Sequence, residues 1–213
     1  GISHLIDSLT AVRRVVFREK YCTIEQVAEA IDHNFKGYEN LRTRLASCPK
    51  YGANQVEADE IGSRLMKDYS HIMEEIDKKH PEMKFMPGVG TFSWYIASNF
   101  SPSAGAMTRG ITGALLSFTK MNLDVLPLGS PLDLGMSGQY VKGEAGTRRL
   151  VGFMDTFIQL GGNLLTISVA DAQTLRDAQK DPENYKDLRV RMGGWSAYFT
   201  MLSKEQQEHH IRR

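Results

Sequence analysis

Leu188-Arg-Val-Arg-Met-Gly-Gly-Trp-Ser-Ala-Tyr-Phe199 sets two adjacent glycines, Gly193 and Gly194, between a strand-forming run (Val190, Met192) and an aromatic one (Trp195, Tyr198, Phe199). Glycine adopts backbone angles closed to other residues and loses more entropy than they do when held in a strand or helix. The pair therefore predicts a tight loop. Taken alone it is a β-turn; the residues before it decide whether the loop has a chemical role. Leu164-Leu-Thr-Ile-Ser-Val169 is the cleanest strand pattern in the chain. Asp171 stands where it would cap a helix over Ala172 to Gln179, and Asp181-Pro182 ends that helix. Beyond the loop, Ser203 and Gln206 form a capping-box pattern that opens a polar terminal helix. His209 and His210 are adjacent on it and face different sides, as in a solvated helix end.

The chain has 213 residues, 41% hydrophobic and 24% charged, with a formal net charge of +1. That is enough for one good core or two small ones. Near-zero charge gives no electrostatic footprint for nucleic acid or an anionic membrane, and no apolar run approaches the roughly 20 residues of a membrane span. Gly1-Ile-Ser-His-Leu-Ile-Asp7 is amphipathic, unlike a signal peptide, and lacks an initiating Met, so the chain is expected to begin mid-domain. Two cysteines, Cys22 and Cys48, make no disulfide framework and fit a reducing cytoplasm.

Residues 1–86 read as helical. Ile2, Leu5, Ile6, Leu9, Val12, Val15 and Val16 predict an amphipathic helix over 2–19, with Arg13, Arg14 and Arg18 on its wet face. Thr23 and Gln26 form a capping box for a second helix with a stripe of Ile24, Val27, Ala28, Ala30 and Ile31, stopped at Asn34 to Gly37. A third helix runs from Glu39 to Ala46. A long fourth runs from Ala58 to His80, with Ile61, Leu65, Tyr69, Ile72 and Ile76 inward. His71 and Glu75 lie one turn apart on it, but zinc needs at least three protein ligands and no partner cluster is visible, so no metal is expected.

Residues 87–213 mix strands and helices. Thr91, Phe92, Trp94, Tyr95 and Ile96 are good strand formers behind Gly88-Val-Gly90, which lacks the third glycine of a dinucleotide loop. Gly110 to Asn122 reads as a helix, Leu132 to Met136 as an alternating strand, and Thr147 to Leu160 as a helix. That helix has Leu150, Val151, Met154, Phe157 and Ile158 inward and stops at Gly161-Gly162. The two parts are lobes of one α/β unit.

The run from Asp171 to Phe199 resembles the C-terminal signature of the glycyl radical enzymes, the pyruvate formate-lyase-like superfamily. The pattern is an Asp-led helix with Leu and Ala-Gln, then Pro-Glu-x-Tyr-x-x-Leu, then Val-Arg-Val-x-Gly-aromatic-Ser/Ala. Asp171, Leu175, Ala178, Gln179, Pro182, Glu183, Tyr185, Leu188, Val190, Arg191, Gly194 and Ser196 match. Upstream, Ser8 to Phe17 resembles the helix after the catalytic-cysteine strand, and Pro49-Lys-Tyr-Gly52, Gly90-Thr-Phe92 and Ser101-Pro-Ser103 fall in family order. The resemblance implies the C-terminal portion of a ten-stranded α/β barrel, with a glycyl radical domain over about 147–213. Gly194 then takes the radical position, with Gly193, Arg191, Trp195 and Ser196 supporting the loop. Glycine suits the role: without a Cβ its Cα flattens, and the flanking amide nitrogen and carbonyl stabilise the unpaired electron. Trp195 and Phe199 are expected as packing. Arg191 is expected either to anchor the loop on nearby carbonyls or carboxylates or to lie exposed on its strand.

The implied mechanism is a hydrogen-atom relay. A radical S-adenosylmethionine activating enzyme with a 4Fe-4S cluster installs the radical on Gly194, with no other cofactor bound. The radical then passes through a cysteine to a small-molecule substrate. The resemblance further implies a cytoplasmic, oxygen-sensitive homodimer of anaerobic metabolism, with no nucleic-acid or membrane partner. The sequence departs from the family twice. Neither Cys22, followed by Thr-Ile-Glu, nor Cys48, followed by Pro-Lys-Tyr-Gly, has the Gly-Cys-Val-Glu setting of the catalytic cysteine. This segment is therefore expected to be inactive without an N-terminal part carrying that cysteine. A polar loop usual in relatives is also missing around Ala97–Ser98.

By the same analogy Phe92, Leu128, Ser130 and Leu132 line the substrate pocket, plain core packing being the alternative for the two leucines. The apolar Pro127-Leu-Gly-Ser-Pro-Leu-Asp133 loop and the Trp195 variant favour a lyase or decarboxylase acting on a C–C, C–S or C–O bond. Arylalkylsuccinate synthase-type addition to fumarate, a non-enzymatic spare-part radical subunit, and an α/β binding module without radical chemistry are the alternatives.

Overall fold

The first helix is one continuous rod with two windings. α1 (Ile2–Val12) passes into a π-helical segment, Arg13–Arg18, where Glu19 N–H donates to the Arg14 carbonyl at 2.9 Å. The wider turn buries both Val15 and Val16, neighbours that an ordinary helix would splay apart. They meet Val27 and Ala30 of α2 (Ile24–Asp32), Leu41 of α3 (Glu39–Ala46), and Cys48. The α2 capping box forms as expected: Gln26 N–H donates to Thr23 Oγ1 at 3.3 Å and Thr23 N–H to Gln26 Oε1 at 2.9 Å. The expected stripe is narrower, since Ile24, Ala28 and Ile31 are exposed. The computed structural model describes residues 1–89, 100–103, 105–192 and 195–212, the side chain of Met192 excepted. The expected strand over Thr91 to Ile96, with Phe92, and the short passage at Ala97–Ser98 lie outside these residues.

α4 (Val56–Lys79) buries Ala58, Asp59, Gly62, Met66 and Ser70, a face one position on from the expected stripe. Ile61, Leu65 and Tyr69 flank that face, and Ile72 is 57% exposed. Glycine stands at 62 because α1 and the Met121 side chain come close there. A Cβ on Gly62 would lie 2.5 Å from Met121 Sδ and 2.8 Å from Ile6 Cδ1. α5 (Gly110–Phe118) ends earlier than expected, and Asn122, at φ 52°, starts a 3₁₀ turn at Leu123–Val125.

The first strand, β1 (Pro131–Met136), pairs in parallel with β2 (Leu164–Val169), with Leu132 opposite Leu165 and Asp133 opposite Thr166. The expected alternation of β1 is absent: five of its six residues are buried, as in a parallel strand covered on both faces. α6 (Gly143–Gln159) makes the crossover. Phe153 and Phe157 turn inward, whereas Val151, Met154 and Ile158 are exposed, which corrects the expected inward set. Gly161, at φ 79°, and Gly162 close the helix, Gly162 N–H donating to the Phe157 carbonyl at 2.9 Å. The main core draws on both halves of the sequence through a file of rings: Tyr51, Phe100, Phe118 and Phe157, with successive centroids 6.4, 5.8 and 5.9 Å apart.

One buried carboxylate ties the helical part to this core. Asp7 of α1 accepts from Tyr51 N–H at 2.8 Å and from the Ser103 hydroxyl. Gly52, beside Tyr51, has φ 95°, and a Cβ there would sit 2.3 Å from Cγ of the rigid Pro102 ring. Ser101 then accepts the Asp133 N–H at 2.9 Å, and Asp133 accepts from the Thr166 hydroxyl across the β1–β2 pair. Three distant segments thus meet at one helix and one strand. Gly52→Ala combines a left-handed backbone with a clash against a proline ring and is expected to destabilise the fold by about 3 kcal/mol or more, measured by denaturant unfolding.

Burial raises the Asp7 carboxyl above its ordinary value of 3.8, and the bonds from Ser103 and Tyr51 offset part of the rise. The folded chain therefore takes up a proton at Asp7 more readily than the unfolded chain. Between the ordinary value and the raised one, stability falls as pH rises, and the full cost of the charged form remains at neutral pH. Asp7→Asn keeps an acceptor for Tyr51 and removes the charge. Unfolding free energies from about pH 4 to about pH 7 are expected to show a shallower slope for this variant than for the parent.

Candidate functional site

The glycine stretch lies in a hairpin. β3 (Arg189–Met192) and β4 (Trp195–Tyr198) pair antiparallel, with Arg191 opposite Ser196 and Met192 opposite Trp195. Gly193 and Gly194 themselves lie outside the described residues. Side chains alternate across the pair. Val190 and Ala197 face a small separate core with Leu175 and Ala178 of α7 (Ala172–Lys180), Phe199, and Ile211 of α8 (Lys204–Arg212). Phe199 is fully buried there and Trp195 half-buried against the same cluster, as expected of packing residues. The outer face carries paired polar groups. Arg189 donates to the Tyr198 hydroxyl at 2.8 Å and lies over its ring.

Among the described residues the bonds of Arg191 run to hydroxyls. Its Nη1 donates to Ser196 Oγ at 3.2 Å, and its backbone N–H donates to Ser168 Oγ of β2 at 2.9 Å. The sequence reading passed over Ser168; its signal was a hydroxyl in an otherwise apolar strand end. Asp171 sits at the α7 N-cap position without a side-chain cap bond, contrary to expectation. It reaches back instead, accepting the Gly138 N–H at 3.1 Å. The Ser203–Gln206 capping box forms in both directions, at 3.1 and 3.3 Å. Gln207 donates to the Phe199 carbonyl at 3.0 Å, fastening α8 under the hairpin.

The remaining expected site residues differ in exposure where they are described. Phe92 lies outside the described residues. Leu128 is 59% exposed, its N–H on the Pro87 carbonyl at 3.2 Å. Ser130 and Leu132 are fully buried, Leu132 within the main core. Cys22 and Cys48 are both free and belong to the second core, away from the cluster under the hairpin. Burial pushes both thiols up, and Cys48 Sγ donates to the Arg44 carbonyl at 3.4 Å. Among the described residues, no group of three or more His, Cys, Asp or Glu side chains is placed to hold a metal ion, and no helix is long and apolar enough to cross a membrane.

Comparison with known proteins places the chain in a family. The family model described as pyruvate formate lyase-like matches residues 1–98, and the one described as glycine radical matches residues 96–200. The isethionate sulfite-lyase of Bilophila wadsworthia is 33% identical over 233 aligned residues, covering 100% of this chain and 28% of that protein. The trans-4-hydroxy-L-proline dehydratase of Clostridioides difficile is 28% identical, covering 100% and 29%. Among solved structures, the glycerol-bound form of the B12-independent glycerol dehydratase from Clostridium butyricum superposes with a TM-score of 0.87 at 26% identity, covering 100% of this chain and 29% of that one. The fold is that of a C-terminal portion of a glycyl radical enzyme barrel. The chain belongs to the glycyl radical enzyme family, and it spans less than a third of the length of these relatives.

Phe199 is the largest fully buried side chain in the core beneath the hairpin, so truncating it leaves a cavity that α7 and α8 cannot both close. Phe199→Ala is expected to cost about 3–5 kcal/mol in denaturant unfolding. Hydrogen exchange should rise in α7 and α8 before it rises in α4.

Proposed function

We propose that this chain is the radical-bearing portion of a glycyl radical lyase, with Gly194 as the radical residue. The observation that carries this reading is the register of the hairpin. Met192 pairs with Trp195, so Gly193 and Gly194 alone join two held strands, in a chain matched by the family models from residue 1 to residue 200. A two-residue connection between paired strands suits a radical centre that must meet one partner atom repeatedly in the same place.

The chemistry is a balanced relay of hydrogen atoms. The activating enzyme, a radical S-adenosylmethionine protein with a 4Fe-4S cluster, takes one hydrogen atom from the Gly194 Cα. The glycyl radical takes a hydrogen atom from a cysteine thiol in the part of the enzyme outside this chain. The thiyl takes one from the substrate, a C–S, C–O or C–C bond breaks, and the product radical recovers a hydrogen atom from the thiol. Cys22 and Cys48 are poor candidates for that thiol, since both lie in the second core. Arg191, Ser196 and Trp195 support the loop, and the buried Phe199 packs beneath it. A second copy completes a cytoplasmic, oxygen-sensitive homodimer.

Isethionate is the first substrate to test, because a relative at 33% identity is named for releasing sulfite from it. Relatives named as a dehydratase and as a decarboxylase glycyl radical subunit lie at 28% and 26%. A spare-part subunit is disfavoured because the pyruvate formate lyase-like match extends the likeness through residues 1–98, beyond the glycine radical region.

The full-length enzyme, treated anaerobically with its activating enzyme, is expected to give a doublet in electron paramagnetic resonance that Gly194→Ala abolishes. Assays with isethionate, aryl acetates, glycerol, and toluene plus fumarate then assign the reaction. A competently activated full-length enzyme without the doublet would refute the reading.

A further inference from the structure

β2 and β3 are neighbours without being a ladder. Among the described residues β2 pairs with β1 and β3 with β4, and no backbone hydrogen bond joins β2 to β3. A side chain makes the junction: Arg191 N–H donates to Ser168 Oγ at 2.9 Å. The same arginine reaches across the hairpin from Nη1 to Ser196 Oγ at 3.2 Å. By sequence, Arg191 precedes Gly194 by three residues and Ser196 follows it by two. One residue therefore has its backbone held by the parallel sheet and, through its side chain, holds the other arm of the loop. The Ile167 side chain, next to Ser168, packs against the main core. Alternation along the strand turns Ser168 the other way, toward the hairpin. Ser168 is half-buried, so its hydroxyl bond competes with water less than an exposed one does.

We propose that Ser168 is a positioning residue for the radical loop. Its hydroxyl, by accepting the Arg191 N–H, sets the height of the β3–β4 hairpin over the β1–β2 sheet and thereby the distance across which Gly194 exchanges a hydrogen atom with the cysteine. It touches no reacting atom. This rests on the radical reading of Gly194 given above. Hydrogen-atom transfer is short-ranged, so a displacement of about 1 Å costs on the order of a hundredfold in rate at its worst. A hairpin that meets β2 through a hydroxyl rather than a ladder is open to such a displacement when the hydroxyl is removed.

The test uses the full-length enzyme as Ser168→Ala and Ser168→Thr. Before activation, hydrogen exchange in the segment 189–198 is expected to be about fivefold faster in Ser168→Ala, with α7 and α8 unchanged and Ser168→Thr close to the parent. After anaerobic activation the doublet is expected in all three. Turnover per radical spin should fall about tenfold in Ser168→Ala, with KM within about twofold, and return in Ser168→Thr. Parent-like exchange in Ser168→Ala overturns the tether. Unchanged turnover per spin with faster exchange overturns the positioning role and leaves a structural contact. Equal losses in the Ala and Thr variants overturn the assignment to the hydroxyl. A parent enzyme that gives no doublet overturns the radical reading and the positioning role with it, while the exchange comparison still decides whether the tether exists.

Discussion

The Asp7 carboxylate is the point on which the rest of the structure depends. It lies in a helix at the start of the chain, is nearly buried, and takes its hydrogen bonds from the turn at Tyr51 and the loop at Ser103. Leaving either donor buried and unpaired would cost about 1–3 kcal/mol, more than most surface contacts contribute. The three segments are therefore coupled: moving one strips the others of partners. From Ser101 the coupling passes to Asp133 and from Asp133 to Thr166, so that the polar chain runs from α1 into the parallel strand pair. Gly52 and Pro102 press together at the same place, which fixes the spacing as well as the bonding.

That knot explains why the helical first part and the mixed second part share one core while the hairpin keeps its own. Tyr51, Phe100, Phe118 and Phe157 stack the main core from segments on either side of the knot. Leu175, Ala178, Val190, Phe199 and Ile211 form a separate apolar cluster within the last quarter of the chain. The parallel strands lie between the two. β2 gives Leu165 and Ile167 to the main core and the Ser168 hydroxyl to the hairpin, an outcome of strand alternation alone.

Element type was legible from the sequence wherever a local rule decides it. The capping boxes at Thr23 and Ser203, the helix Glu39–Ala46 and the strand Leu164–Val169 follow from residue spacing and cap chemistry. Inward faces were less legible. In α4 the bulky residues were expected inside, but the close approach of α1 and Met121 gave position 62 to glycine, and Ala58 and Ser70 are buried with it. In α6 the apolar residues Val151, Met154 and Ile158 stay exposed because Phe153 and Phe157 already fill the space beneath. At the site, the signature from Asp171 to Phe199 led to the family and to the loop. The partners of that loop could not be read locally. Ser168 meets Arg191 from 23 residues away, and Asp171 prefers Gly138, 33 residues back, to the helix end beside it.

Both of those long-range bonds lie where the hairpin unit meets the rest of the chain, and their type is informative. Each is a single hydrogen bond between a side chain and a backbone N–H, worth about 1 kcal/mol, or somewhat more for the Asp171 carboxylate. The apolar residues within the unit contribute about 1.5–3 kcal/mol for each fully buried large side chain. The unit is thus bound to itself more strongly than these two bonds fasten it to its neighbours. What they supply is direction rather than strength: a side-chain acceptor at Ser168 and a carboxylate at Asp171 fix two points at the base of one unit, and two points with a packed core define an orientation. A backbone ladder between β2 and β3 would have given more energy, but it would also have forced the hairpin into the plane of the parallel pair. Side-chain tethers let β3 and β4 keep their own sheet, with Arg191 bonded to Ser196 across it and to Ser168 of β2 behind it.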